Sequence, residues 1–177
     1  EALSGLFYIV GPALTPVRFP SKRASGTICQ SPTEERRKTT VLSAQEVQTI
    51  MYNGLPSAAD TALQVEWVEG NRARVRYPFK PSMIRPGGTI SGPTMMGLAD
   101  SAMYAVILGR LGALEMAVTQ NLNINFLSKP APVDMIADAE IIRLGRRSAV
   151  LEVRLYSVDS DDMVAHVTGI YALPATT

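Results

Sequence analysis

Asp100 is the side chain best placed for chemistry, because of the company it keeps. It interrupts a stretch in which Met95, Met96, Leu98, Ala99, Ala102, Met103, Ala105, Val106, Ile107 and Leu108 are all apolar. A carboxylate there costs on the order of several kcal/mol unless it is paired or hydrogen-bonded. Burial would raise its pKa, which suits a general base, and a carboxylate can also attack an acyl carbon directly. The plainer alternative is that Asp100 caps a backbone amide or pairs with an arginine. Gly92 precedes Pro93, and a helix starting there presents unpaired N–H groups and a partial positive charge to a developing oxyanion. Pro93 has no N–H, so Gly92, helped by Thr94, would be the donor; otherwise Gly92 merely permits the turn. Thr119, Asn121, Asn123 and Asn125 share one face of a strand-like segment. Three asparagines run against β propensity, so this face lines either a cleft or subunit interface, or plain solvent. Arg146 and Arg147 occupy a turn, where guanidinium forks match phosphate oxygens or are simply solvated.

These residues need elements to hold them. Ser43-Ala-Gln-Glu46 has capping-box spacing, with Val47 and Ile50 following at helical intervals until Asn53-Gly54-Leu55-Pro56 stops the helix. Leu63, Val65 and Trp67 alternate with polar residues, as do Ala73, Val75, Tyr77 and Phe79 with Arg72, Arg74 and Arg76. With Glu69-Gly70-Asn71 between them, they read as a hairpin with one wet face. Lys80–Gly92 is rich in Pro and Gly and reads as a loop. Proline is favoured in a first helical turn, so a helix begins at Pro93 and runs to a stop at Gly112. Its residues 94–111 span roughly 27 Å. Four strand-like segments follow, over Val118–Phe126, Val133–Leu144, Ala149–Leu155 and Met163–Leu173. A helix apolar on nearly every side must be covered on every side, so an α+β fold is expected in which a long antiparallel sheet curls round it. Another subunit would cover what remains of the sheet surface and its edges. Met95, Met96 and Met103 are expected in the core.

Composition narrows the choice. With 17 basic and 16 acidic residues and a net charge of +1, nothing suggests a protein driven onto nucleic acid by phosphate neutralisation. The single cysteine, Cys29, excludes an internal disulfide and suits a reducing compartment. The single histidine, His166, leaves no zinc cluster and little room for a Ser-His-Asp triad, and is expected to be structural. No apolar run approaches the roughly 18–20 residues that span a bilayer, and Leu6–Val10 is short, so the expected location is the cytoplasm with no membrane partner. Residues 1–38 carry no steady period and read as a poorly ordered extension or a cloning remnant, or as a segment packing through Leu6, Phe7, Tyr8 and Ile9. Residues 39–177 form the domain.

Residues 62–173 resemble the hotdog fold, specifically the PaaI-like acyl-CoA thioesterases. The main piece is Ser91-Gly92-Pro93-Thr94-Met95-Met96-Gly97-Leu98-Ala99-Asp100-Ser101-Ala102, similar to the family's glycine-rich turn and Leu-Ala-Asp-x-Ala helix. Asn123-Ile124-Asn125-Phe126-Leu127 with Pro130-Ala131 is a second piece, and Gly145-Arg146-Arg147 with Val164-Ala165 a third. Where the family reads His-Gly-Gly, this chain has Ser91-Gly92-Pro93, or Pro86-Gly87-Gly88 if about five residues are inserted. The resemblance implies a homodimer or dimer-of-dimers tetramer that hydrolyses an acyl-CoA. Asp100, Gly92 and Thr119 would be catalytic, with Thr119 positioning the water. Ser91, Thr94, Asn121 and, on the second alignment, Gly88 would be at the substrate, and Arg146 and Arg147 would meet the CoA phosphates, with Arg85 a further cation. No metal or redox cofactor is implied; coenzyme A enters as part of the substrate. A non-hydrolytic module that binds an acyl thioester or lipid is the alternative. An acyl-thioester dehydratase ranks behind both, since that chemistry wants a histidine in the site.

Overall fold

The computed structural model describes residues 41–174, so the expected extension over residues 1–38, and Cys29 within it, lie outside the described residues. Ser43 caps α1 (Ala44–Gly54): its backbone N–H donates to Glu46 Oε2 at 2.8 Å, while its hydroxyl accepts from the Glu46 amide at 3.3 Å. The Ser43 backbone N–H and its hydroxyl, which donates to the same Oε2 at 2.7 Å, hold the Glu46 carboxyl below its ordinary pKa. Val47 and Met51 are the buried face of α1. The sequence reading ends helical structure at Pro56, but a second short helix, α2 (Pro56–Thr61), starts on that proline. A proline at the first helical position loses no hydrogen bond, so it begins a helix as readily as it blocks one.

Strands β1 (Gln64–Glu69) and β2 (Arg72–Tyr77) form the expected hairpin about Gly70, whose φ is +56°. The glycine-rich loop is more ordered than a loop reading suggests. After a 3₁₀ turn at Pro81–Met83, β3 (Ile84–Arg85) and β4 (Thr89–Ile90) pair across a tip where Gly87 and Gly88 take φ of +102° and +75°. The glycine pair therefore serves this tip, and Ser91-Gly92-Pro93 is the turn that opens the long helix α3 (Gly92–Leu111). Four long strands complete the chain: β5 (Val118–Phe126), β6 (Met135–Leu144), β7 (Ser148–Ser157) and β8 (Met163–Ala172).

The six strands of the main sheet are antiparallel, in the order β1-β2-β6-β7-β8-β5, and α3 touches all six. Side chains alternate between two faces. Ala73, Ala139, Val153, Val167 and Ile124 form one row against α3; the next row, Arg74, Asp138, Arg154, His166 and Asn125, points away from it. On that outer face Arg74 grips Asp138 with two bonds of 2.6 and 2.7 Å, and Arg72 meets Glu140 at 3.0 Å. The arginines of β2 are thus ion-paired rather than merely solvated.

Enclosure of α3 is complete along Leu98–Gly109 apart from Asp100, Ser101 and Tyr104, which are half-buried. Its first turns are less covered, and Met96, expected in the core, is 42% exposed. Packing is tight where β8 crosses the helix. A Cβ added at Gly169 would stand 2.5 Å from Met103 Sδ and 3.1 Å from the Asn121 carbonyl oxygen. Gly169→Ala is therefore expected to destabilise the domain by about 1–3 kcal/mol, read as a lower Tm in thermal unfolding.

Candidate active site

The start of α3 is built by Ser91. Its hydroxyl accepts from the Thr94 amide at 3.4 Å and lies 2.8 Å from the Thr94 hydroxyl. Two turns further on, Asp100 emerges between the ends of β5 and β8. Thr119 donates to Asp100 Oδ1 at 2.6 Å and the Tyr171 hydroxyl donates to the same oxygen at 2.8 Å. All described hydrogen bonds to the Asp100 side chain fall on Oδ1.

Thr119 arrives there through a break in the strand. Simple alternation would set Thr119 on the same face as Asn121, Asn123 and Asn125, as the sequence reading expected. In the structure Thr119 pairs with Tyr171 while Asn121 pairs with Ile170, so Gln120 is an extra residue, a β-bulge. The extra residue reverses the parity. Thr119 faces α3 beside Tyr171, and the three asparagines share the outer face with Ile170, Thr168 and His166.

Asp100 opens into a cleft of about 940 Å³, whose lining includes Thr94, Tyr77, Ser101, Thr119 and Tyr171. Tyr77 and Ser101 form a second hydroxyl pair in its wall, 2.9 Å apart. Met116 and Val118 supply apolar surface, and Lys80 a positive charge. Gly92 lies elsewhere. It lines a smaller cavity of about 430 Å³ with Arg85, Met95, Phe126, Ser128 and Lys129, and a Cβ on it would come within 3.2 Å of the Phe126 ring. Eight residues of helix separate Gly92 from Asp100, a rise of about 12 Å, so one chain does not bring both to one carbonyl.

The remaining sequence candidates scatter. Ser91 is engaged in its cap, Gly88 sits in the β3–β4 tip, and Asn121 is on the outer face; none of them lines either cavity. Arg146 and Arg147 occupy the β6–β7 turn and line neither cavity, although that turn stands at the same end of the sheet as Val118. His166 is on the outer face, its Nε2 3.3 Å from Glu152. Among the described residues no group of three or more His, Cys, Asp or Glu side chains could hold a metal, and no helix is long and apolar enough to cross a membrane. Tyr171, Tyr77 and Ser101 are the site residues the sequence reading missed. Ser101 adjoins Asp100, but no spacing links position 171 to position 100; only strand register does.

A curled antiparallel sheet around a buried helix, with a hydroxyl-held carboxylate opening into a cleft, defines a hotdog-fold protein. Residues 87–164 match the family model described as the thioesterase superfamily. A provisionally named esterase of Saccharolobus solfataricus is 31% identical over 97 residues, which cover 52% of this chain and 65% of that protein, just under two thirds of its length. The crystal structure of a provisionally named thioesterase from Silicibacter sp. TM1040 is 29% identical with a TM-score of 0.69, over 76% of this chain and 93% of that one. The Escherichia coli PaaI protein, from the phenylacetic acid degradation operon, shares the fold at 19% identity and a TM-score of 0.63, over 76% and 95% of the two chains. Over that matched segment the chain is similar to the thioesterase superfamily, and it shares the hotdog fold of these solved structures.

Burial raises the Tyr171 hydroxyl far above its ordinary pKa, and the neighbouring Asp100 charge raises it further; burial likewise raises Tyr77. Tyr171 is thereby kept a proton donor. A folded pKa above the unfolded one stabilises the fold fully below the unfolded value, about pH 10, and that stabilisation is lost as pH rises past it. In an alkaline titration followed at the phenolate absorbance, Tyr77 and Tyr171 should ionise only as the protein unfolds, with Tm falling above about pH 10.

Proposed function

We propose that the chain hydrolyses an acyl-CoA thioester to the free acid and coenzyme A, with Asp100 as general base or nucleophile. The observation that carries this reading is the Asp100 carboxylate, fixed through one oxygen by Thr119 and Tyr171 in a cleft large enough for an acyl group. As a base, Asp100 takes a proton from water as its oxygen attacks the thioester carbon; the C–S bond breaks and the sulfur leaves as the thiol after protonation. As a nucleophile, Asp100 attacks the acyl carbon, the C–S bond breaks and coenzyme A leaves as the thiol after protonation; water then opens the mixed anhydride to the free acid and the Asp100 carboxylate. Coenzyme A is the carrier half of the substrate, and the reaction belongs in the cytoplasm.

The same reading extends to a homo-oligomer, a dimer or a dimer-of-dimers tetramer. Among the described residues β5 ends the sheet with an unpaired edge, and Val118 and Phe126 at its two ends are 55% and 50% exposed. Two β5 edges pairing about a twofold axis would protect both strands and continue the sheet from chain to chain. That arrangement would let the Gly92 amide of one copy act as oxyanion donor toward the Asp100 of another, which supports keeping Gly92 in the mechanism although its own chain holds it apart from Asp100. Light scattering should give at least twice the mass of one chain. Asn123→Lys, near the middle of β5, should shift the mass toward the single chain by opposing two like charges.

A second reading has its own support. No histidine stands beside the turn that opens α3, and a thioester-binding module without turnover would need none. A panel of acyl-CoAs with a thiol-reactive dye separates the two. Hydrolysis predicts release of free coenzyme A that falls about 100- to 10,000-fold in Asp100→Asn while Tm is kept. Binding without release in the wild type supports the module.

A further inference from the structure

We propose that Tyr171 is a positioning residue that, with Thr119, commits Asp100 Oδ1 to hydrogen bonding and reserves Oδ2 as the reacting atom. The proposal rests on the hydrolytic reading above and assigns a role to a residue far from the helix in sequence. Thr119 and Tyr171 are cross-strand partners, side by side on the face toward α3. Both hydroxyls converge on one oxygen, at 2.6 and 2.8 Å. An oxygen that already accepts two hydrogen bonds has its lone pairs occupied; the other keeps its own for a water proton or an acyl carbon. Tyr171 also lies 3.2 Å from the backbone carbonyl oxygen of Asp100, so it grips the residue at two points.

The grip is rigid because Tyr171 cannot turn. It is 2% exposed, and its ring stacks on Tyr104 with centroids 6.4 Å apart and planes inclined by 18°. A carboxylate on a helix otherwise has freedom about two side-chain torsions; a buried, stacked phenol removes it before substrate arrives. Fixing a reacting group in this way contributes to the chemical step rather than to binding. Tyr171→Phe deletes only the hydroxyl and retains the ring and its stacking.

The test compares the wild type, Tyr171→Phe and Asp100→Asn. Steady-state hydrolysis of the best acyl-CoA is measured, together with Tm and the affinity for the matching non-hydrolysable thioether analogue. Tyr171→Phe should lower kcat about tenfold or more, with KM, Tm and analogue affinity nearly unchanged. Introduced into Asp100→Asn, it should cause no further loss, because Tyr171 acts only through that carboxylate. Unchanged kcat in Tyr171→Phe beside an inactive Asp100→Asn overturns the positioning role and leaves the hydrolytic reading standing. A raised KM or lowered Tm with kcat unchanged marks Tyr171 as a binding or purely structural residue and overturns it equally. A wild type that hydrolyses no acyl-CoA removes the hydrolytic reading, and the positioning role with it.

Discussion

A twenty-residue helix with almost no polar side cannot face water, and the architecture follows from enclosing it. Six strands have to reach α3 from several directions, so the sheet curls and its inner rows fill with Ala, Val, Leu and Ile, while the charges collect outside in paired rows. The tightness of that enclosure shows where β8 crosses Met103, because a side chain at position 169 would crowd both Met103 and the Asn121 carbonyl. A cleft is left where enclosure stops, beside the half-buried Asp100, Ser101 and Tyr104.

Each polar interruption of the helix has a partner brought by a different element. Ser101 meets Tyr77 from β2, and Asp100 meets Thr119 and Tyr171 from β5 and β8. The carboxylate's desolvation is offset by hydroxyls rather than by an opposing charge, so it is oriented without being locked in a salt bridge. A group held in this way takes its described hydrogen bonds on one oxygen, whereas one locked in a bidentate arginine pair, such as Asp138 on the outer face, has both oxygens occupied. The two aspartates show how environment, rather than residue type, decides how a carboxylate is held.

Much of this was legible in the sequence. The apolar run of α3 announced a buried helix, the alternating segments announced the strands, and Asp100 stood out because nothing near it was polar enough to explain it. Two things were hidden for physical reasons. Pro56 looks alike whether it ends one helix or begins another, so α2 passed as a stop signal. The contact between positions 100 and 171 depends on strand register, and register is set by pairing across the sheet rather than by any local pattern. Gly92 was legible as the helix start, yet its distance from Asp100 along the axis emerges only when the helix is given its rise.

The bulge at Gln120 bears on how this chain is compared with others. Straightening β5 would turn Gln120, not the threonine, toward the carboxylate. A relative without the additional residue would hold the same hydroxyl in the same place, one position nearer the asparagine run. Column-by-column alignment would then score that hydroxyl as lost when it had only been renumbered. Kinship at this site is better judged by which strand neighbour stands opposite the tyrosine than by position along the chain.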